Sequence, residues 1–248
     1  MSQQKNDARR VALLWPGRRL GTHRDSARAG KLPCWTGAPR FDKTLRAVKQ
    51  SLVTLDMEGV LTPEIWIAVA EKTGIPELRR TTRDEPDYDK LMRARLALLE
   101  KHGLGLSDIQ SVIAELRPLP GAKEFLDELR ELVQVIILSD TFEQFAKPLL
   151  RQLGWPTLLC HRLVVKNDKI VDYALRIPDQ KRQAVAAFKR LNYNVIAVGD
   201  SFNDTSMLLE ADVGFLFHAP EAVKLQFPQF DAVESYPELM ELIKNELE

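Results

Sequence analysis

The sequence predicts an α/β protein: a doubly wound, Rossmann-like parallel sheet with a helical cap inserted after its first strand. Two observations carry this. From residue 51 onward, short and continuously apolar runs alternate with segments of helical spacing, as expected for parallel strands covered on both faces. The first two runs, 51–56 and 133–140, are also about 75 residues apart, more than a single crossover helix requires. The expected organisation is a basic, poorly ordered extension over 1–50, a core over 51–61 and 121–248, and a helical cap over 62–120.

The elements follow in order. "SLVTLD" (51–56) is a short apolar strand. "EIWIAVAEKTG" (64–74) has helical spacing and stops at Gly74, and "YDKLMRARLALLEKHG" (88–103) repeats that form. "SDIQSVIAEL" (107–116) opens on Ser107, read as an N-cap. "GAKEFLDELRE" (121–131) is an amphipathic helix, "VQVIILSD" (133–140) a buried strand, and "FEQFAKPLLRQLG" (142–154) a helix with a bend expected at Pro148. "HRLVVKNDKIVDYAL" (161–175) reads as a hairpin around Asn167-Asp168. Helices over 180–191, 203–211 and 237–247 and strands over 194–200 and 213–217 complete the pattern.

Charge separates the first fifth of the chain from the rest. Residues 1–50 hold 12 Lys/Arg against 3 Asp, a net of +9, and the remaining 198 residues carry 23 basic and 32 acidic side chains, a net of −9. The basic segment has no sustained apolar period, so a solvated tail is the simplest reading; a targeting peptide, a nucleic-acid arm or an early start codon are the alternatives. With zero net charge overall, no polyanionic partner is expected, nucleic acid included. Two cysteines, Cys34 and Cys160, make no disulfide framework and point to a reducing compartment. No apolar run approaches the roughly 20 residues needed to span a bilayer, so a cytoplasmic protein without membrane partners is expected. Oligomeric state is open, a homodimer included.

Three strands end on polar residues, in "LDMEG", "ILSDT" and "AVGDSFND", and an open α/β sheet binds ligands beyond the carboxyl ends of its strands. Asp56 and Glu58 are two apart and share a face if the strand geometry continues, and Gly59 lets the chain turn. Ser139 and Asp140 end the second strand; Asp200 ends another, with Asn203 and Asp204 within one turn. Carboxylates converging on one crevice repel each other unless a hard, oxygen-ligated cation joins them, and Mg²⁺ suits such a site. A carboxylate is also a nucleophile toward phosphorus. The phosphoryl oxygens then need a hydroxyl (Ser139), a cation (Lys181 or Arg182) and the metal. One acid attacks and the other handles the proton. His102, His161 and His218 show no metal spacing and read as structural.

In this order, "LDMEGVL", "ILSDT", the lysine opening "QKRQAV", and "VGDSFND" resemble the four motifs of the haloacid dehalogenase superfamily. Within it, the stretch from about residue 51 to the end looks like the phosphoserine phosphatases. It is most similar to the bifunctional phosphoserine phosphatase/homoserine phosphotransferase branch. The segments "PEIWIAVAEKTGI", "TTRDEPDYDKLM", "RQLGWPTLLCH" and "FHAPEAV" share in the likeness.

The resemblance implies Asp56 as nucleophile and Mg²⁺ ligand, and Glu58 as acid/base whose carbonyl also ligates. It implies Asp200 as metal ligand with Asp204 in support, and Ser139, Asp140 and Lys181 on the phosphate side. Glu64, Arg95 and Asn203 are implied as contacts to the amino-acid substrate. Glu58 stands where that pattern usually has Asp, and Asp140 where it usually has Gly, so water and homoserine both stay open as phosphoryl acceptor. Two classes of function follow: a Mg²⁺-dependent phosphatase or phosphotransferase, or a non-catalytic interaction protein using the basic tail. A metal-free dehalogenase conflicts with Asp200 and Asp204.

Overall fold

The computed structural model describes residues 48–247 apart from 83 and 86, so the expectations for residues 1–47 lie outside the described residues. Seven strands form one sheet in the order β4-β3-β2-β1-β5-β6-β7. They are β1 (Gln50–Leu55), β2 (Gln134–Phe142), β3 (Leu158–Lys166), β4 (Lys169–Ala174), β5 (Tyr193–Gly199), β6 (Val213–Phe217) and β7 (Asp231–Val233). All neighbouring pairs are parallel except β3 and β4. β1 is central, with Leu52–Leu55 facing Gln134–Ile137 of β2 on one side and Val195–Val198 of β5 on the other.

The continuous apolar runs are explained by burial on both faces. Successive side chains of a strand point to opposite faces. Val53 and Leu55 of β1 and Ile196 and Val198 of β5 join one core cluster, while Leu52, Val195 and Ala197 join the other. On the first face lie α4 (Ala122–Leu132), α5 (Glu143–Gln152) and α9 (Tyr236–Asn245), through Phe125, Phe145 and Leu239 among others. On the second lie α6 (Gln180–Arg190), α7 (Thr205–Glu210) and α8 (Glu221–Gln226), through Val185, Met207 and Val223. No helix among the described residues is long and apolar enough to cross a membrane.

The segment expected as the cap, 62–120, holds α1 (Ile65–Thr73), a 3₁₀ turn, α2 (Tyr88–His102) and α3 (Leu106–Glu115). Two devices tie it to the core. Pro148 lies inside α5 and has no N–H to give the carbonyl of Gln144 one turn back. That carbonyl instead accepts the side-chain amide of Gln110 on α3, at 2.8 Å. The second device is the β3–β4 hairpin. Asn167 and Asp168 both have positive φ, 49° and 65°, as a tight two-residue hairpin turn requires. Asp168 then reaches α3: its carbonyl accepts Leu106 N–H at 2.7 Å, and its carboxylate accepts both the N–H (3.0 Å) and the hydroxyl of Ser107.

This corrects the N-cap expectation. Ser107 is inside the helix, Gly105 is the cap position, and the capping oxygens come from Asp168, 61 residues away. Other differences are smaller. β3 begins at Leu158 and is a sheet strand before it becomes half of a hairpin. The helix expected over 203–211 is a 3₁₀ turn, Phe202–Asp204, followed by α7. The short α8 and β7 were not anticipated, having too few residues to show a period.

Asp168→Ala should remove the cap from α3 and lower stability by about 1–2 kcal/mol, the size of an N-cap loss. At about 2–4 °C per kcal/mol for a domain of this size, a thermal melt resolves the shift. An unchanged Tm would mean that Asp168 does not hold the cap.

Candidate active site

The first loop after β1 shows how the sequence builds the site. Met57 is fully buried in the core, so Asp56 and Glu58 on either side face the cleft, as their two-residue spacing requires. The chain then doubles back: Leu61 and Thr62 N–H both donate to the carbonyl of Met57 at 2.9 Å, and Gly59 N–H to that of Thr62 at 2.8 Å. Gly59 has φ +83°, and a Cβ there would stand 2.4 Å from Cγ of Asp200. Only glycine satisfies both the turn and the approach of the two acidic loops.

Asp200 and Asp204 come from the loop after β5. Asp204 is fully buried; Asp200 and Ser201 N–H donate to its Oδ2 at 3.0 and 3.1 Å, and Lys181 Nζ to its Oδ1 at 2.7 Å. Lys181, in the first turn of α6, also stands 2.8 Å from Asp56 Oδ1 and 3.7 Å from Asp140 Oδ2. Arg182 instead faces outward to Asp179 and Glu210, so of the two basic residues Lys181 is the one on the cleft.

The second strand runs on to Phe142 rather than ending at Asp140. Its pairing with β3 shifts register between Leu138 and Phe142, and Ser139 and Asp140 occupy that irregularity. Ser139 Oγ accepts Thr141 N–H at 3.3 Å. The Asp140 carboxylate faces Gln180, Asn203, Lys181 and His161, at 3.3 to 3.7 Å. Against the pull of burial, Lys181 and His161 hold it well below the usual carboxylate range. An ionised carboxylate repels a phosphate dianion, and what the Asp140 side chain meets here are the donors of its neighbours.

On the cap side, Glu64 is the N-cap residue of α1 without capping it by its side chain. The cap comes from Glu58, whose Oε2 accepts Ile65 N–H at 2.8 Å. Arg95 of α2 is buried, with its guanidinium over the Trp66 ring at 4.6 Å and Nη2 donating to the carbonyl of Arg80 at 2.7 Å. Its buried Nε makes no hydrogen bond, and a carboxylate arriving in the cleft would satisfy it. The structure thus brings Asp56, Glu58, Glu64, Arg95, Ser139, Asp140, Lys181, Asp200 and Asn203 to one cleft, with Asp204 directly beneath. Sequence reading passed over Tyr88, whose hydroxyl donates to the carbonyl of Asp140 at 3.1 Å, and Gln180. No motif spacing marks them, because each acts on a residue distant in the chain.

The electrostatics point to a missing positive charge. Burial, then repulsion from Asp204, pushes the Asp200 carboxyl up to about 7; the same two causes raise Asp56 well above its ordinary range. Burial and neighbouring Glu64 push Glu58 up to about 7. Oxygens of Asp56, Asp200 and Asp204 lie within 4.8 Å of one another, and Lys181 is the cation beside Asp56 and Asp204. An all-carboxylate donor set fits a hard divalent cation.

The profile of haloacid dehalogenase-like hydrolases matches residues 50–212. The chain belongs to that family. It is 63% identical over 189 residues to a phosphoserine phosphatase of Pseudomonas syringae pv. tomato, covering 76% of this chain and 80% of that one. It is equally similar to the phosphoserine phosphatase ThrH of Pseudomonas aeruginosa, covering 92% of that chain. The crystal structure of phosphoserine phosphatase from T. onnurineus in complex with NDSB-201 matches 79% of this chain and 96% of its own, at 25% identity and a TM-score of 0.64. The chain is a hydrolase of the haloacid dehalogenase-like family.

Asp200→Asn removes one like charge from the buried trio. In metal-free protein it should raise Tm by several degrees, since each unit of raised pKa reflects about 1.4 kcal/mol of strain in the ionised form. Millimolar Mg²⁺ should raise the wild-type Tm and leave the variant's nearly unchanged. A wild-type Tm indifferent to divalent cations would rule out the metal site.

Proposed function

We propose that the protein is a Mg²⁺-dependent phosphoserine phosphatase that works through an aspartyl-phosphate on Asp56 and can also pass the phosphoryl group to homoserine. The observation that carries this reading is one cleft with two differently equipped sides. Asp56, Ser139 and Lys181 lie on the phosphate side, and Glu64 and Arg95 on the cap side, where an amino acid's ammonium and carboxylate would be recognised. The names of the 63% identical relatives support the substrate.

The steps follow from the residues. An Asp56 oxygen attacks phosphorus while the bond to the serine oxygen breaks, and Glu58 gives that oxygen its proton. Glu58 then takes a proton from water, which attacks the phosphorus; the bond to Asp56 breaks and phosphate leaves. A Glu58 carboxyl pushed up to about 7 suits both directions of transfer. Lys181, already beside Asp56, balances the charge on the phosphoryl oxygens, and Ser139 offers them its hydroxyl. Held by Asp56 and Asp200, Mg²⁺ would offset the remaining negative charge and polarise the phosphoryl group. If the hydroxyl of homoserine enters in place of water, the product is phosphohomoserine. A cytoplasmic, small-molecule role without nucleic acid belongs to the same reading, with a homodimer as one assembly. Hydrolysis of another small phosphomonoester is the alternative reading.

The direct test is phosphoserine turnover with Mg²⁺, with and without homoserine, scored for inorganic phosphate and phosphohomoserine. Asp56→Asn should lose turnover by at least about 10³-fold. Absence of phosphoserine turnover by the wild type would refute the substrate, and an active Asp56→Asn the nucleophile.

Arg95→Ala separates the two sides of the cleft. It should reduce kcat/KM for phosphoserine by about 2–4 kcal/mol, the cost of truncating one partner of a buried charge pair. Turnover of p-nitrophenyl phosphate, which lacks both amino-acid groups, should barely change. Arg95→Lys should restore only part of the loss, because an ammonium cannot make the bidentate contact. Equal losses on both esters would place Arg95 outside substrate recognition.

A further inference from the structure

His161 sits on β3, beyond the cleft wall, and is only 4% exposed. Its ring is oriented from behind: Arg176 N–H donates to Nδ1 at 3.2 Å. A nitrogen that accepts cannot carry the proton of a neutral imidazole, so the N–H is on Nε2. Nε2 faces Oδ1 of Asp140 at 3.5 Å. The rings of Phe142 and Tyr88 stand 6.4 and 6.3 Å away, centroid to centroid, and restrict the imidazole on two further sides.

Asp140 in turn touches both groups on the phosphate side that came from elsewhere in the chain. Its Oδ2 accepts Asn203 Nδ2 at 3.4 Å and stands 3.7 Å from Lys181 Nζ. Gln180 donates to Oδ1 at 3.3 Å and also to the carbonyl of Ser139. The Gln180 amide is itself oriented by Arg176, whose guanidinium donates to Oε1 at 3.1 and 3.3 Å. Arg176 therefore supports Asp140 through two routes, one through the His161 ring and one through Gln180. Lys181 has three N–H donors and three carboxylates around it, and Asp140 is the only one of the three that is not part of the aspartate trio.

We propose that His161 and Asp140 form a positioning pair: His161 orients the Asp140 carboxylate, which holds Lys181 and Asn203 in place for the phosphoryl group. The pair explains an anion beside a phosphate site. Asp140 costs some affinity by repulsion and compensates by fixing the ammonium that the phosphoryl oxygens meet. Neither residue needs to touch the substrate. The proposal rests on the phosphatase reading for its substrate, and on the geometry above for everything else.

The experiment compares His161→Phe, which keeps a ring and loses the donor, with His161→Gln, whose amide reaches the Nε2 position. His161→Phe should lower kcat by about 10- to 100-fold, the range for a small misplacement of a reacting group. It should do so equally for phosphoserine and p-nitrophenyl phosphate, since the phosphate side is common to both. His161→Gln should recover most of the loss while its Tm matches that of His161→Phe. In a double-mutant cycle, His161→Phe should add less than about twofold to the loss already caused by Asp140→Asn, because the two act as one unit. Calorimetric binding of inorganic phosphate with Mg²⁺ reads the same pair without turnover, and His161→Phe should weaken it several-fold. Full kcat and phosphate affinity in His161→Phe, no recovery in His161→Gln, or losses that multiply in the cycle would each overturn the proposal. If the wild type hydrolyses p-nitrophenyl phosphate but not phosphoserine, the substrate reading fails and the positioning pair is still judged on the ester and on phosphate binding.

Discussion

The site is organised around one buried ammonium. Lys181 is 3% exposed and stands within 4 Å of carboxylate oxygens from Asp56, Asp140 and Asp204. Burial alone would strip a lysine of its proton, yet the three carboxylates raise its affinity for that proton well above the ordinary value. The ammonium also couples three separate parts of the chain: the loop after β1, the irregular end of β2 and the loop after β5. A single cation cannot balance so many acids, and the cluster is left short of positive charge. That shortage is what a bound divalent cation would relieve. A cleft built this way is costly to the folded state and suited to binding what relieves it.

The cap is joined to this centre by hydrogen bonds rather than by proximity alone. Glu58 caps α1 with the same carboxylate that faces the reaction cleft. Tyr88, the first residue of α2, donates to the carbonyl of Asp140. Asp168 caps α3 from the far end of the β3–β4 hairpin, and Arg93 of α2 pairs with Asp172 of that hairpin at 3.1 Å. Cap position and site geometry are thereby linked at both ends. Any displacement of these helices from the sheet would break or bend some of these bonds.

Much of this was legible in the chain because it depends on local order. Runs such as "LVTL" and "NVIAVG" are apolar on both faces, and that alone argues strands in a covered parallel sheet. The alternation of Asp56, Met57 and Glu58 follows from the period of two, and Gly59 from the turn that must follow. Element ends were read well where a residue type decides them, as at Gly74 and Gly103, both in the left-handed region that glycine tolerates. Ser107 shows the limit. Its type matches an N-cap, but the oxygens that cap α3 belong to Asp168, and no local rule reports a partner 61 residues away.

By itself, the sequence determined the order of the strands and helices apart from the short α8 and β7, and the acidic residues at the strand ends, because these follow from periodicity and residue type. Only the tertiary structure decided between Lys181 and Arg182, since neighbours in a helix point to different faces and burial selects one of them. It alone placed the Asp140 carboxylate among Gln180, Asn203, Lys181 and His161, and gave His161 a place beside the site. Those assignments depend on which side chains meet across β2, β3 and α6, and such meetings are set by packing between distant segments.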